Sequence, residues 1–71
     1  MTGQEFRELR KSMKLSQEKL GNLMEVQKRT IINQEQSEAV PAVYEYAIRF
    51  LAIRSRRDDF ISIADQIVDL F

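Results

Sequence analysis

The sequence predicts a compact all-α fold, a bundle of five helices. Apolar residues recur every three or four positions along the chain, and a period-2 alternation of apolar and polar residues is nowhere sustained. The 71 residues include only two glycines and one proline, so the predicted helices have few interruptions. A hydrophobic fraction of 44% with zero net charge is typical of a folded domain, and the length allows one such domain.

The first two helices have clear start signals in the sequence. The first is predicted over residues 3–12, because Thr2 and Glu5 have the spacing of a capping box. The second is predicted over residues 17–24, with the hydroxyl of Ser16 as its N-cap. Apolar residues at helical spacing predict the buried side of each helix: Phe6, Leu9 and Met13 in the first, and Leu20, Leu23 and Met24 in the second.

The third predicted helix is unusually polar. It covers residues 27–36, where Val26 and Ile31 are the only clear core residues. A short helix with so few apolar contacts is unstable on its own and must be held by its neighbours. Such a helix is either a solvated surface element or one whose polar face recognises a ligand.

The C-terminal part of the chain predicts two more helices. Pro41 suits the first turn of a fourth helix, which is expected to end near Arg54. A fifth helix is expected to begin at Asp58 or Asp59 and to end near Leu70. The fourth helix is apolar on two sides and is therefore expected to be packed on both. Its two faces are Tyr44, Ala47, Ile48 and Leu51, and Tyr46, Phe50 and Ile53; the stripe of the fifth helix is Phe60, Ile63, Ala64, Ile67 and Phe71.

The composition argues against several classes of function. Without Cys or His, the chain has no disulfide framework, thiolate nucleophile or imidazole base, and we expect no metal and no cofactor. It also lacks a G-x-x-x-x-G-K-S/T loop and a pair of carboxylates at an evident cleft, which disfavours an enzyme. No stretch is apolar enough to span a membrane and no signal peptide is recognisable, so a cytoplasmic protein is expected.

Charge is unevenly distributed along this neutral chain. Between Arg7 and Arg29 there are seven basic and three acidic residues, whereas from Asp58 onward there are four acidic residues and no basic one. The basic excess therefore lies on the first three predicted helices.

The segment from Leu9 to Pro41 resembles the helix-turn-helix of the XRE family, the Cro-and-repressor type of regulator. The matching pieces, in order, are Leu9-Arg10, Leu15-Ser16-Gln17, Leu20, Val26, Thr30-Ile31, Glu35 and Pro41. The resemblance implies a bundle of the lambda-repressor-like type in which the second and third helices form the helix-turn-helix. Residues 1–54 would then be the DNA-binding domain, and residues 55–71 a C-terminal helix for core completion and dimerisation.

Three positions depart from the pattern of that family. Gly21 stands where a small alanine is usual, and Glu25 stands where the turn prefers glycine. A non-glycine residue in a left-handed conformation costs about 1–2 kcal/mol, so either the turn at Glu25 is strained or its geometry differs. Gln34 stands where a bulky apolar residue is common, which predicts that the third helix packs less tightly against its neighbours.

The outward N-terminal face of the third helix carries side chains that can recognise bases. Arg or Lys can bond guanine, Asn or Gln can bond adenine, and an aliphatic group can touch a thymine methyl in the major groove. The expected base-contacting residues are Gln27, Lys28, Arg29, Ile32 and Asn33. Plain structural roles remain open for them: a solvated basic pair, ordinary polar surface, a poor N-cap at Gln27 and a core position at Ile32.

Phosphate contacts are expected from residues around this helix. They are Gln17, Lys14, Lys11, Lys19 and Thr30, although solvent-facing lysines are common on any protein. Gln17 opens the second helix, where backbone amides face an anion, and it is also expected to brace the third helix. The family pattern further pairs Arg10 with Glu35 in a salt bridge between the first and third helices.

The resemblance implies a homodimeric repressor of a phage or mobile-element operon, either its own or another, that reads an inverted repeat in duplex DNA. The dimer interface is expected at Phe60, Ile63, Ala64, Ile67 and Phe71, together with Phe50 and Ile53. The C-terminal stripe could instead complete the core of its own chain, or do both. Two alternatives stay open: an antitoxin of the same fold that binds a toxin, and a protein inhibitor that has lost DNA binding.

Overall fold

The computed structural model describes the backbone of residues 1–69 and the side chains of residues 1–56. Over the described backbone the chain forms four helices and no strand, which confirms the all-α class. The helices are α1 (Gly3–Ser12), α2 (Gln17–Met24), α3 (Lys28–Glu35) and α4 (Ala42–Asp69). The bounds of α1 and α2 agree with those predicted, and α3 is one residue shorter at each end.

The helices α1 and α2 begin where their capping residues place them. The Thr2 hydroxyl accepts a hydrogen bond from the Glu5 amide at 3.1 Å, and the Glu5 carboxylate accepts one from the Thr2 amide at 3.0 Å. This reciprocal pair is the predicted capping box, and it lowers the pKa of the Glu5 carboxyl. The Ser16 hydroxyl accepts from the Lys19 amide at 3.1 Å and caps α2.

The core is formed by one buried side chain from each helix and one from the loop before α4. These residues are Phe6, Leu20, Ile31, Val40 and Ile48. Partly buried apolar side chains surround them, among them Leu9, Met13, Met24 and Val26. Among the described side chains, each helix supplies one large side chain that is fully buried. The main helix contacts are those of α3 with α1 and α2, and of α1 with α4.

The prediction that Leu23 lies on the buried side of α2 is wrong, because its side chain is 54% exposed. The reason is the burial of Gly21, which lies 100° around the helix from Leu20. The buried face is therefore centred between Leu20 and Gly21, close to Met24. Leu23 lies on the far side of Leu20 from this centre and faces solvent.

The first turn of α1 lies unusually close to the C-terminal end of α3. The Gly3 amide donates to the Ser37 carbonyl at 3.0 Å. A Cβ at Gly3 would lie 2.5 to 2.7 Å from the backbone oxygens of Ser37, Glu35 and Gln34. Only glycine allows this approach, so Gly3 fixes how closely α1 packs on α3.

The expected break between a fourth and a fifth helix is absent, because α4 is one helix from Ala42 to Asp69. The sequence around the expected break, Ser55-Arg56-Arg57-Asp58, contains neither Gly nor Pro, so the helix has no strong reason to stop there. Its 28 residues extend over about 42 Å, which accounts for most of the 49 Å length of the molecule. Pro41 precedes α4 as its N-cap residue, and its carbonyl accepts from the amides of Tyr44 and Glu45.

The expectation that this helix is packed on both sides holds for only one side within the described side chains. Ile48 is buried, and Tyr44 and Leu51 pack against the core. Tyr46, Phe50 and Ile53 on the other side are more than 60% exposed. The predicted interface residues Phe60, Ile63, Ala64, Ile67 and Phe71 lie outside the residues whose side chains are described. None of the helices, as far as they are described, is long and apolar enough to cross a membrane.

Candidate nucleic-acid interface

Residues 25–27 join α2 to α3 through a left-handed turn. Glu25 has φ 58° and ψ 39°, so it occupies the position where glycine is preferred and accepts the strained conformation. The Val26 amide donates to the Gly21 carbonyl at 2.8 Å. A Cβ on Gly21 would lie 2.8 Å from the Val26 carbonyl oxygen, so this glycine lets the turn pack closely on α2. Gly21 and Glu25, the two residues that depart from the family pattern here, thus form one closely packed turn between α2 and α3.

A buried ion pair joins α1 to α3. Arg10 Nε donates to Glu35 Oε2 at 2.8 Å, and its Nη2 donates to Oε1 at 3.1 Å, so the pair is bidentate. The Arg10 and Glu35 side chains are only 10% and 5% exposed. The remaining Arg10 nitrogen, Nη1, donates to the Leu15 carbonyl at 2.8 Å and also anchors the loop before α2. The ion pair expected from the family pattern is therefore formed, and its arginine also binds the loop between α1 and α2.

Gln17 connects α2 to the same carboxylate. Its Nε2 donates to Glu35 Oε1 at 3.3 Å, and its side chain is half-buried. This contact provides the predicted brace between α2 and α3. Nε2 carries two hydrogens, so one N–H binds Glu35 and the second N–H can still donate to another acceptor such as a phosphate oxygen.

Four polar side chains cover the outward face of α3 around its N-terminus. They are Gln27, Lys28, Arg29 and Asn33, and all four are exposed. Within residues 1–56, none of the four side chains makes a hydrogen bond or an ion pair. Gln27 is the N-cap residue of α3, yet its side chain makes no capping bond. The face is therefore composed of donors and acceptors that the described part of the chain does not use.

Two other predicted contact residues of α3 lie at the edge of this face. Ile32 and Thr30 are half-buried, whereas their neighbour Ile31 is fully buried in the core. Part of the Ile32 side chain is therefore packed and part is accessible, so its burial does not decide between the two roles that the sequence left open.

The predicted phosphate-binding lysines are all on the surface. Lys11, Lys14 and Lys19 are exposed and make no side-chain ion pair in the described region. Lys14 follows α1 with φ 59°, which turns the chain sharply toward α2. Lys11 lies in the last turn of α1, Lys14 lies in the loop before the Ser16 cap, and Lys19 lies in the first turn of α2.

Two features near this surface were missed by the sequence reasoning. Arg7 Nε lies 4.0 Å from Glu35 Oε1, so a second guanidinium faces the carboxylate that Arg10 binds. The signal for it was the spacing of Arg7 and Arg10, which lie three residues apart on α1. Gln34 Oε1 is buried without a hydrogen-bond partner in the described structure. The signal for it was the departure at this position, where the family pattern has a bulky apolar residue.

The described residues include no group of three or more acidic side chains arranged to hold a metal ion. Comparisons with protein-family models, with curated proteins and with solved structures find no match to this chain.

Proposed function

We propose that this protein is a sequence-specific DNA-binding regulator in which α2 and α3 act as a helix-turn-helix. The observation that carries the proposal is the exposed N-terminal face of α3. Ile31 anchors the helix in the core, while Gln27, Lys28, Arg29 and Asn33 face outward with no partner in the described structure. A helix anchored on one side and free on the other is suited to enter a major groove.

The chemistry of this face matches the edges of base pairs. Arg29 and Lys28 can donate to guanine O6 and N7, and Asn33 and Gln27 can pair with adenine. The accessible part of Ile32 can contact a thymine methyl group. These side chains are the base-contacting residues of the proposal.

The contacts around Glu35 support such a role, because sequence reading requires a helix held in one orientation. Arg10 and Gln17 bind the carboxylate of Glu35 from α1 and α2. The close approach at Gly21 holds the turn on the other side of α3. Lys11, Lys14 and Lys19, with the Thr30 hydroxyl and the amide end of α2 at Gln17, would contact the phosphates that flank the groove.

The functional unit that we propose is a homodimer bound to an inverted repeat. The basic excess between Arg7 and Arg29 is only four charges, which is too small for tight binding by one copy. Two copies double the contacts and place two recognition helices one DNA turn apart, about 34–36 Å. With the resemblance to the XRE family and its lambda-repressor-like bundle, this arrangement favours a cytoplasmic repressor of the phage or mobile-element type.

Selection of bound sequences from random duplex DNA tests the proposal. We expect a palindromic consensus. Arg29→Ala should weaken binding to the consensus by about 1–3 kcal/mol and relax the preference at one base position of each half-site. Lys19→Ala is the matched comparison, and it should weaken binding to all sequences evenly.

If Arg29→Ala also weakened all sequences evenly, Arg29 would contact a phosphate and not a base. If no duplex were bound even at low salt, the proposal would fail, and an inhibitor that binds another protein would be favoured.

A further inference from the structure

The Glu35 carboxylate has more positive charge around it than its own charge requires. Arg10 alone satisfies it, because Nε and Nη2 of Arg10 bind its two oxygens while Nη1 binds the Leu15 carbonyl. Arg7 is a second guanidinium beside the same group, with Nε 4.0 Å from Glu35 Oε1. That distance is too long for a hydrogen bond. The cluster of Arg7, Arg10 and Glu35 therefore carries one uncompensated positive charge.

The uncompensated charge belongs to Arg7, whose N–H donors are free. Its side chain is 50% exposed, and within residues 1–56 it makes no hydrogen bond. An arginine that only supported Glu35 would gain little from this geometry, since a half-exposed ion pair at 4.0 Å is weak. A guanidinium instead matches the oxygens of a phosphate group with its parallel N–H donors.

Gln17 presents a further donor at the same carboxylate oxygen. An ionised carboxylate only accepts hydrogen bonds, so Glu35 fixes the Gln17 amide with Nε2 toward Oε1, at 3.3 Å. The second N–H of Nε2 is then free to donate. Arg7 Nε and Gln17 Nε2 both lie near Oε1, which limits their separation to about 7 Å. A phosphate group has two free oxygens that each accept at about 2.8 Å, so one phosphate can bridge both donors.

Arg7 also lies in line with other basic residues of α1. Lys11 follows it by four residues, a spacing that puts the two side chains on one face of the helix. Lys14 follows three residues later, just beyond the end of α1. All three side chains are exposed, and such a row of cations can follow the phosphates of one DNA strand.

We propose that Arg7 and Gln17 together bind one backbone phosphate of a DNA duplex, with Arg7 as the cationic contact. The inference rests on the DNA-binding function proposed above, and it deepens that function by assigning a phosphate site that joins α1 to α2. The phosphate supplies the negative charge that the cluster of Arg7, Arg10 and Glu35 lacks. Because Gln17 is held by Glu35 of α3, a phosphate bound here also fixes the position of α3 relative to the DNA backbone.

Duplexes that carry one neutral methylphosphonate test the site. In the consensus obtained by selection, each phosphate of one half-site is replaced in turn, and the affinity of each duplex is measured. We expect one position at which the replacement weakens binding of the wild type by about tenfold, because it removes a charge-assisted contact. At that same position the loss should fall to about threefold or less in Arg7→Gln and in Gln17→Ala, as a double-mutant cycle requires of groups in contact.

Arg49→Gln is the matched control for the loss of charge. It removes a guanidinium that is 55% exposed on α4, and its methylphosphonate profile should equal that of the wild type. Arg7→Gln should keep the helical circular dichroism spectrum and the urea midpoint of the wild type, because Arg10 still pairs with Glu35. If Arg7→Gln fails to fold, Arg7→Met, which keeps the apolar stem of the side chain, is measured in its place with the same expected result.

The salt dependence of binding separates a phosphate contact from a structural role. In a symmetric dimer on the full consensus, Arg7→Gln should lower the slope of log K against log salt concentration by about 1.8, whereas Arg7→Lys should retain the slope of the wild type. A role limited to supporting Glu35 would weaken binding without changing this slope.

A folded Arg7→Gln variant with the slope and the methylphosphonate profile of the wild type would overturn the phosphate site. Coupling of Arg7 and Gln17 to two different phosphates would overturn it as well. Both results leave the DNA-binding function intact, since the wild type still selects a consensus. A wild type that binds no duplex would remove the proposed function, and the phosphate site with it.

Discussion

Glu25 is one of two non-glycine residues, with Lys14, that adopt a left-handed conformation in the described structure. Its φ of 58° is left-handed, which costs a non-glycine residue about 1–2 kcal/mol. The turn is held in this geometry by the hydrogen bond from the Val26 amide to the Gly21 carbonyl. The sequence indicated the conflict at this position but left two outcomes open, and the packing of Gly21 against the turn decided between them.

Glu25→Gly should therefore raise the free energy of unfolding by about 1 kcal/mol. Urea denaturation of the free protein measures it. Glu25→Ala is the matched control, since it removes the same charge and keeps a Cβ in the left-handed conformation. An equal gain in both variants would attribute the effect to the carboxylate and not to the backbone.

The Glu35 carboxylate accepts hydrogen bonds from Arg10 and Gln17, and it lies 4.0 Å from Arg7 Nε. Glu35→Gln leaves the Arg10 guanidinium buried without its counter-charge, and we expect a loss of about 3–5 kcal/mol in the free energy of unfolding. In a double-mutant cycle with Arg10→Met, the second substitution should cost far less than it does alone. The surface pair Glu45–Arg49, with an N–O distance of 3.5 Å and a half-exposed arginine, is the control and should show a coupling of about 0.3–0.5 kcal/mol. Equal coupling in the two cycles would show that burial of Arg10 has no effect on the strength of the pair.

At the level of helices, the predictions succeeded where the determining contacts are local. The start of α1 depends on Thr2 and Glu5, and the start of α2 depends on Ser16, all within three residues of the groups they bind. The exposure of Leu23 and the continuity of α4 depend on tertiary packing and on the absence of a stop signal, which periodicity does not encode. The outward face of α3 was predictable because its polarity contrasts with the buried Ile31.

The α1 cap makes stability depend on pH. The hydrogen bonds from Thr2 lower the pKa of Glu5 from its ordinary value of 4.5. The folded state therefore binds this proton less readily than the unfolded state does, so the contribution is present above pH 4.5 and is lost as the pH falls below it. Glu5→Gln keeps an oxygen acceptor for the cap but cannot titrate, and its urea midpoint should fall less than that of the wild type between pH 6 and pH 3. The same fall in both proteins would assign the acid sensitivity to other carboxylates, among them Glu45, whose pKa is lowered by its hydrogen bond with the N-terminal amine.

For the whole molecule, the four-helix architecture separates two surfaces with different charge and polarity. The α1–α3 unit carries the basic excess and the polar face of α3, and the outer side of α4 carries the exposed apolar side chains Tyr46, Phe50 and Ile53. A net-neutral chain thus carries a local positive field on the α1–α3 unit, while the acidic residues from Asp58 onward belong to the helix that leads away from it.

The salt dependence of DNA binding reports how many copies contact the duplex. Each phosphate contact contributes about 0.9 to the slope of log K against log salt concentration, so Lys14→Ala in a symmetric dimer should lower the slope by about 1.8. The substitution leaves a Cβ at a position with φ 59° and adds no new backbone strain. On a duplex that contains a single half-site, the same change should lower the slope by about 0.9, because only one copy contacts the half-site. An unchanged slope on both duplexes would remove Lys14 from the phosphate contacts, whereas a drop of about 0.9 on both would mean that only one copy contacts DNA through this lysine.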